Sequence, residues 1–364
     1  MYMQTNGNDA KYYNEQDRIN TLKMREVLSC LPSFCKQYFR GIEPTTSART
    51  RLGYAYDLRV FFEYLHNVNP SLKNIEVKNF KLDVLEMIER EDIEEYLEYL
   101  SLYEKQEKET TKERTNTEQG KKRKMSALRS MFSYFYKAEL ISKNTPELVN
   151  MPKLHEHEII RLEPNEVAIL LDQVEAGEKL TKSQLKYHEK TKVRDVALLT
   201  LLLGTGIRVS ECVGIDIEDI DYDTNGLNIH RKGGYNTIVY FPDEVRQALL
   251  DYYEERKTII PVEGNENAFF LSLQNKRISV RAVEKLVKKY ARNVTTLKKI
   301  TPHKLRSTFG TNLYKESGDI YLVADVLGHK DVNTTRKHYA AQDDENRRRA
   351  ARMVKLREDI DDNK

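Results

Sequence analysis

Apolar residues recur along the chain with two different rhythms. From about Asn14 to Asn150 they return at the spacing of one helical face. "INTLKMREVLSCLPSFCKQYF", "SARTRLGYAYDLRVFFEYLHNV" and "REDIEEYLEYLSLYEK" each predict a helix, and in the second Tyr54, Leu58, Phe61, Phe62 and Leu65 form an amphipathic stripe. The hydrophilic "QEKETTKERTNTEQG", ending at Gly120, has no such period and predicts a loop. "KKRKMSALRSMFSYFYKAELI" then predicts another helix, with Met125, Leu128, Phe132 and Phe135 on one side and basic residues on the other. These aromatics read as core in preference to base-stacking groups, because large apolar rings are usually buried.

"KNTPELVNMPKLHEHEIIRLEP" carries isolated prolines and no period, which predicts an inter-domain linker. Beyond it the pattern is mixed. Pro164 suits the first turn of a helix over "EPNEVAILLDQVE", and "RDVALLTLLLGTG" predicts a largely apolar helix stopped by Gly204 and Gly206. "GLNIHRKGGYNTIVYF" (226–241) holds two β-type runs around "KGGY", the signature of a hairpin. Helices follow over "PDEVRQALLDYYEERK", "SVRAVEKLVKKYARNV" and "TPHKLRSTFGTNL", then a short one stopped at Gly328 and another over "DVNTTRKHYAAQ". The fold class is therefore mainly α with a small antiparallel β-sheet in the C-terminal domain. The expected organisation is a flexible tail at 1–13, a helical domain at 14–150, a linker at 151–162, a second domain at 163–342 and a helical tail at 343–364.

Composition narrows the function classes. The 364 residues allow two domains, or three small ones, and 39% hydrophobic content can build cores despite 32% charge. No run approaches the roughly 18 apolar residues of a membrane span, and "MYMQTNGNDAKYYNEQ" lacks a secretory pattern. Three cysteines (Cys30, Cys35, Cys212) fit neither a zinc site nor a disulfide framework, so a reducing, cytoplasmic setting is expected. Net charge is only +3, but it is unevenly spread: 86–100 is acidic, while 120–132, 285–299 and 346–357 are basic. Such faces bind phosphate even on a nearly neutral protein, although each run also reads as a solvated helix face.

Several polar residues stand where elements end. Arg208 follows "GTG", Lys232 sits at the hairpin tip, and His329 follows the Gly328 stop, with Tyr339 ten residues later. Thr301 and Pro302 open a helix on which His303 and Arg306, three apart, share a face near the positive end of the dipole. Two arginines can clamp the oxygens of a phosphodiester and stabilise a five-coordinate transition state. A phenol with a pKa near about 10 needs a base such as histidine to become a nucleophile, and lysine can protonate a departing sugar oxygen. No metal-ligand cluster or cofactor motif accompanies them, which suits a phosphoryl transfer without metal or cofactor.

"GTGIRVSE", "RKGG", "TPHKLRSTFGTNL" and "VLGHKDVNTTRKHY", in this order and spacing, resemble the tyrosine recombinase (phage integrase) family, and its bacterial Xer-type members most. The resemblance covers most of the chain, since 120–154 is similar to the end of that family's helical core-binding domain. It implies a core DNA-binding domain at 14–150 and a catalytic domain at 163–342. Arg208, Lys232, His303, Arg306 and His329 would form the phosphate-activating pocket, Tyr339 the nucleophile, and Lys232 the general acid. Glu211 matches an acidic position that helps hold the pocket, with an ordinary surface glutamate as the alternative.

The implied reaction passes through a 3′-phosphotyrosine link and a Holliday junction, on a tetramer of protomers holding two duplexes. Partners would be double-stranded DNA recombination sites and further copies of the chain, with an accessory directionality protein left open. Candidate DNA contacts are Lys121, Lys122, Arg123, Lys124, Arg129, Arg231, Lys288 and Lys289. The tail at 343–364 is expected to dock on a neighbouring protomer, with a DNA-contact role as the rival. The biological task reads either as integration and excision of a mobile element or as resolution of replicon dimers. Type IB topoisomerase-like relaxation and a catalytically silent DNA-binding regulator are the alternatives.

Two departures from the family pattern stand out. Its members usually place the tyrosine nine residues after the "LGH" histidine; the gap of ten here predicts a wider turn around "NTTRKH". Ser307 and Gly310 replace a more usual His and Ala, in a segment expected to pack rather than react. His66, His155, His157, His188 and His230 show no partner pattern, with His188 in a charged loop, and His338 is ambiguous.

Overall fold

The computed structural model describes residues 9–107, 110–153, 160–231, 235–329, 331–333 and 335, with the backbone alone at 9–11, 104–107, 110–112 and 235. The chain divides into two compact units, Met1–His157 and Glu158–Lys364, so the division falls inside the segment read as a linker.

The first unit contains α1 (Asp9–Leu28), α2 (Phe34–Gly41), α3 (Ala48–Val68), α4 (Val84–Met87), α5 (Arg90–Tyr99), a hairpin of β1 (Tyr103–Glu107) and β2 (Thr110–Arg114), and α6 (Glu118–Lys137). Helix α1 begins at Asp9, inside the stretch expected to be tail. Ser47 caps α3 by accepting from the Thr50 N–H, and Thr117 caps α6 by accepting from the Gly120 N–H. Helix α3 packs against α1 and α6. Leu58, Phe61, Phe62 and Leu65 of its stripe are buried, Tyr54 is half-buried, and Met125, Leu128, Phe132 and Phe135 of α6 meet them in one core. Edge-to-face rings knit the helices together: Phe34 lies 5.6 Å from Phe135 and 5.8 Å from Phe62, and Phe61 lies 5.0 Å from Tyr96.

The hairpin corrects the reading of 106–120 as a loop. Tyr103 pairs with Arg114 and Glu107 with Thr110 in an antiparallel register. Nearly every residue of the ribbon is charged or polar. Backbone hydrogen bonds carry such pairing, and no apolar alternation appears in the sequence to announce it.

The second unit contains α7 (Pro164–Ala176), α8 (Lys182–His188), α9 (Lys192–Thr205), α10 (Val209–Gly214), β3 (Ile220–Asp221), β4 (Gly226–Arg231), β5 (Tyr235–Tyr240), α11 (Asp243–Thr258), α12 (Val280–Ala291), α13 (Pro302–Ser317) and α14 (Ile320–Leu327). The strands form one antiparallel sheet in the order β3-β4-β5, with Gly226 opposite Tyr240 and Arg231 opposite Tyr235. Helix α9 is apolar around most of its circumference because α7, α11 and α13 all pack on it. Its Ala197, Leu198, Leu199, Leu201 and Leu202 are buried. Gly206, at φ 63°, ends it in the left-handed conformation that favours glycine. Gly204 does not stop the helix: it lies inside the last turn, where a Cβ would come within 2.5 Å of Val245 on α11. Leu162, at the end of the expected linker, is buried in this unit and donates its N–H to Thr308 Oγ1 at 3.0 Å.

His188 is also placed differently from its expected charged loop. It ends α8, is 2% exposed, and its Nδ1 lies 3.0 Å from the Tyr290 hydroxyl. That hydroxyl donates to the buried Asp195 at 3.0 Å, which also accepts from Thr191, Arg194 and Lys289. Burial, and secondarily Lys289, pulls the His188 pKa below its usual 6.5. The folded protein therefore holds a neutral ring while the unfolded chain takes up a proton. The resulting contribution to stability is present above about pH 6.5 and is lost as pH falls through that value toward the folded pKa. His188→Gln is expected to flatten the fall of melting temperature between about pH 7 and about pH 5 relative to wild type. Parallel pH profiles for the two proteins would remove this histidine from the account.

Candidate functional site

Three helix ends in the second unit build the site. Helix α9 stops at Gly206, and two residues later Arg208 caps the start of α10. Helix α14 stops at Gly328, with φ 63°, and delivers His329 immediately after. Helix α13 runs between them and carries Arg306 one turn after His303.

Arg306 is only 5% exposed. Its Nη1 donates to the Gly206 carbonyl at 2.6 Å and its Nη2 to the Leu327 carbonyl, so one guanidinium joins the C-terminal ends of α9 and α14. Arg208 donates from Nη1 to Glu211 Oε1 at 2.7 Å and from Nη2 to the Gly328 carbonyl at 3.3 Å. Glu211 is 4% exposed, and its other oxygen accepts the Arg208 backbone N–H at 2.8 Å. This settles the choice left open for Glu211. It is a buried carboxylate that fixes Arg208, and no surface residue. Arg231, the last residue of β4, donates to the Val326 carbonyl at 2.9 Å and the Asp325 carbonyl at 3.5 Å.

Three guanidinium groups thus meet carbonyls of the last turn of α14 and its Gly328 cap, the negative pole of that helix. The ring of His329 is oriented through Nδ1, 2.7 Å from the hydroxyl of the buried Thr335. Its backbone N–H donates to the Ala324 carbonyl at 2.9 Å, continuing the helix cap. Arg208, Arg306 and His329 are therefore gathered at one place. His303 is exposed in the first turn of α13, so it and Arg306 share a helix start but not a degree of burial. Ser307 and Gly310 are buried, as expected of packing positions. Lys232 and Tyr339 lie outside the described residues, as do His155, His157, His338 and the tail at 343–364.

The residues proposed to touch DNA are placed unevenly. Arg123 reaches Asp57 at 2.6 Å with 61% of its side chain exposed, Lys121 pairs with Glu118 at 2.9 Å, and Lys288 is exposed. Lys122 is half-buried on α6. Lys124 is buried, bonded to Asn116 at 2.9 Å and near Asp57 at 3.7 Å. Arg129 donates to the Pro146 and Val149 carbonyls, and Lys289 to Asp195. Sequence reading missed Thr335 as the partner of His329. It lies within the "NTTRKH" stretch flagged for its extra residue, but nothing in a threonine's identity announces which imidazole it will meet.

A geometry that fixes two guanidinium groups and an imidazole on rigid helix ends suits binding of a tetrahedral anion and stabilisation of charge that grows on it. Among the described residues, no group of three or more His, Cys, Asp or Glu side chains could hold a metal ion, and no helix is long and apolar enough to cross a membrane.

Comparison with known proteins bears on the same segments. A family model described as the phage integrase family matches residues 161–346. A tyrosine recombinase XerC of Caldanaerobacter subterraneus subsp. tengcongensis is 33% identical over 324 residues, covering 86% of this chain and 83% of that protein. A tyrosine recombinase XerS of Streptococcus agalactiae is 29% identical over 338 residues, covering 86% of this chain and 93% of its own. Among solved structures, the Tn1549 transposon integrase in complex with circular intermediate DNA shares the fold, with a TM-score of 0.62 at 20% identity over 89% of this chain and 100% of that one.

Proposed function

Since the chain belongs to the phage integrase family of tyrosine recombinases, we propose that it is a site-specific DNA recombinase in which Tyr339 is the nucleophile and Arg208, Lys232, His303, Arg306 and His329 activate the scissile phosphate. The observation that carries this reading is the convergence of Arg208, Arg306 and His329 on the C-terminal end of α14.

The steps balance without cofactor or ATP. The Tyr339 oxygen attacks phosphorus while its proton passes to a base, with an imidazole of His303 or His329 as the candidate. The P–O5′ bond breaks, and Lys232 gives the leaving oxygen its proton. A 5′-hydroxyl from the partner duplex then attacks the 3′-phosphotyrosine and restores both a phosphodiester and the phenol. Bond energy is conserved between the two transfers. Arg208 and Arg306 stabilise the added charge of the five-coordinate state, a role that mutagenesis of comparable anion-stabilising donors values at about 10²–10³ in rate.

Four protomers would hold two duplexes and exchange strands through a Holliday junction, and we place this work in the cytoplasm with the DNA. Phosphate contacts are assigned first to Lys121, Lys122, Arg123 and Lys288. Lys124, Arg129 and Lys289, whose donors are engaged within their own units, act on DNA only if those bonds open.

The test begins by enriching, from a randomised duplex pool, the sequence that purified protein retains. On a nicked suicide duplex of that sequence the protein is expected to form a covalent adduct. Lys232→Ala should slow adduct formation, and a 5′-bridging phosphorothiolate, whose thiolate leaves without a proton, should restore it. Lack of any adduct, or relaxation of supercoils by the monomer with no sequence requirement, would overturn the recombinase mechanism; an unrescued Lys232→Ala would overturn the general-acid role.

A further inference from the structure

Arg231 connects two parts of the site that the chain itself separates by nearly a hundred residues. It is the last described residue of β4 and immediately precedes Lys232. Along β4, strand β3 pairs only with Gly226 and Leu227. From Asn228 to Arg231 the described ladder is with β5 alone. The ribbon packs into the unit through the buried Leu227 and Ile229 of β4, and at its far end the Arg231 guanidinium is set on the Val326 and Asp325 carbonyls in the last turn of α14. The fit is close: a Cβ built at Gly328 would fall on that guanidinium, and Gly328 already needs its left-handed φ of 63° to end the helix. Three residues beyond Val326 the same chain delivers His329, and the neighbouring carbonyls, of Leu327 and Gly328, hold Arg306 and Arg208.

We infer that Arg231 is a positioning residue: it ties the strand that leads to Lys232 to the helix end that presents His329, and so sets the general acid against the rest of the pocket. The inference rests on the mechanism proposed above. It differs from the expectation that Arg231 contacts a DNA phosphate. In this structure Nη1 and Nη2 of Arg231 donate to backbone carbonyls at the negative pole of a helix, which favours a cation. The energetic role is geometric, since displacing a proton donor by about 1 Å is enough to cost about 100-fold in rate.

The experiment compares wild type, Arg231→Gln, Arg231→Lys, Lys232→Ala and Arg306→Ala in single-turnover adduct formation on the enriched duplex. Each is run once with the ordinary phosphodiester and once with the 5′-bridging phosphorothiolate. Arg231→Gln should cleave the ordinary substrate about 100-fold more slowly. It should bind with unchanged affinity and salt dependence, and recover most of its rate on the thiolate substrate, as Lys232→Ala does and Arg306→Ala does not. Arg231→Lys, which keeps the charge and can reach one carbonyl, should fall between wild type and Arg231→Gln, and it carries the comparison if the glutamine variant folds poorly.

Loss of affinity with a salt slope shallower by about one would make Arg231 a phosphate contact and overturn the inference. A slow variant that the thiolate does not rescue, beside a rescued Lys232→Ala, would overturn it as well. A wild-type protein that forms no adduct would overturn the recombinase reading and this inference together, so the two failures are distinct.

Discussion

Tyr339→Phe is expected to retain the enriched duplex with wild-type affinity and to form no covalent adduct above background. The change removes one oxygen and almost no volume. Ground-state contacts to phosphate, which come from arginine, lysine and backbone groups, are untouched, while the bond to phosphorus loses the atom that makes it. Tyr314 and Tyr321, the nearest other tyrosines in sequence, lie within α13 and α14, and Tyr321 is 70% exposed. Both precede His329 in the chain, so neither is expected to substitute. Binding is read by native gel shift and adduct by denaturing gel on the same samples. A residual adduct at the wild-type level would remove Tyr339 from the mechanism and leave its other parts standing.

Arg306→Ala is expected to damage both catalysis and the fold of the second unit. Catalysis should fall by about 10²–10³ because a preorganised donor to the transition-state oxygens is lost. Stability should fall by about 2–4 kcal/mol, because the side chain is 5% exposed and its removal strips charged donors from two carbonyls, those of Gly206 and Leu327. Single-turnover cleavage and thermal melting separate the two effects. Arg306→Lys sharpens the test. A lysine keeps the charge but cannot fork between the ends of α9 and α14, so cleavage is expected to stay low even where part of the stability returns. A lysine variant with wild-type cleavage would show that charge alone, without the two-pronged tie, is what the site requires.

How far the site could be read in the sequence depended on what each residue had to announce itself. Gly206 and Gly328 were legible as helix stops because a left-handed residue after an apolar run is a local requirement that glycine meets. Arg208, Arg306 and His329 were legible through their order next to those stops. Gly204 was misread because its reason for being small is Val245 on α11, a distant neighbour in the chain. The His188–Tyr290–Asp195 chain went unseen for the same reason: a hydrogen bond between residues far apart leaves no period behind. Thr335 went unseen although it is only six residues from His329, because a lone threonine does not announce its partner. The hairpin at 103–114 was missed because backbone pairing makes no demand on side-chain hydropathy.

By itself, then, the order of residues determined the helical stripes, the hairpin around 226–241 and the helix ends. All of these depend on interactions within a few positions of one another. Only the tertiary structure decided which of those side chains share a place: that α9, α13 and α14 end or pass where one buried guanidinium spans two of them, that Glu211 turns inward to hold Arg208, and that Arg231 leans on the carbonyls of α14. Those choices are made by packing and by the need to satisfy buried polar groups, and both are properties of the assembled fold that no local window contains.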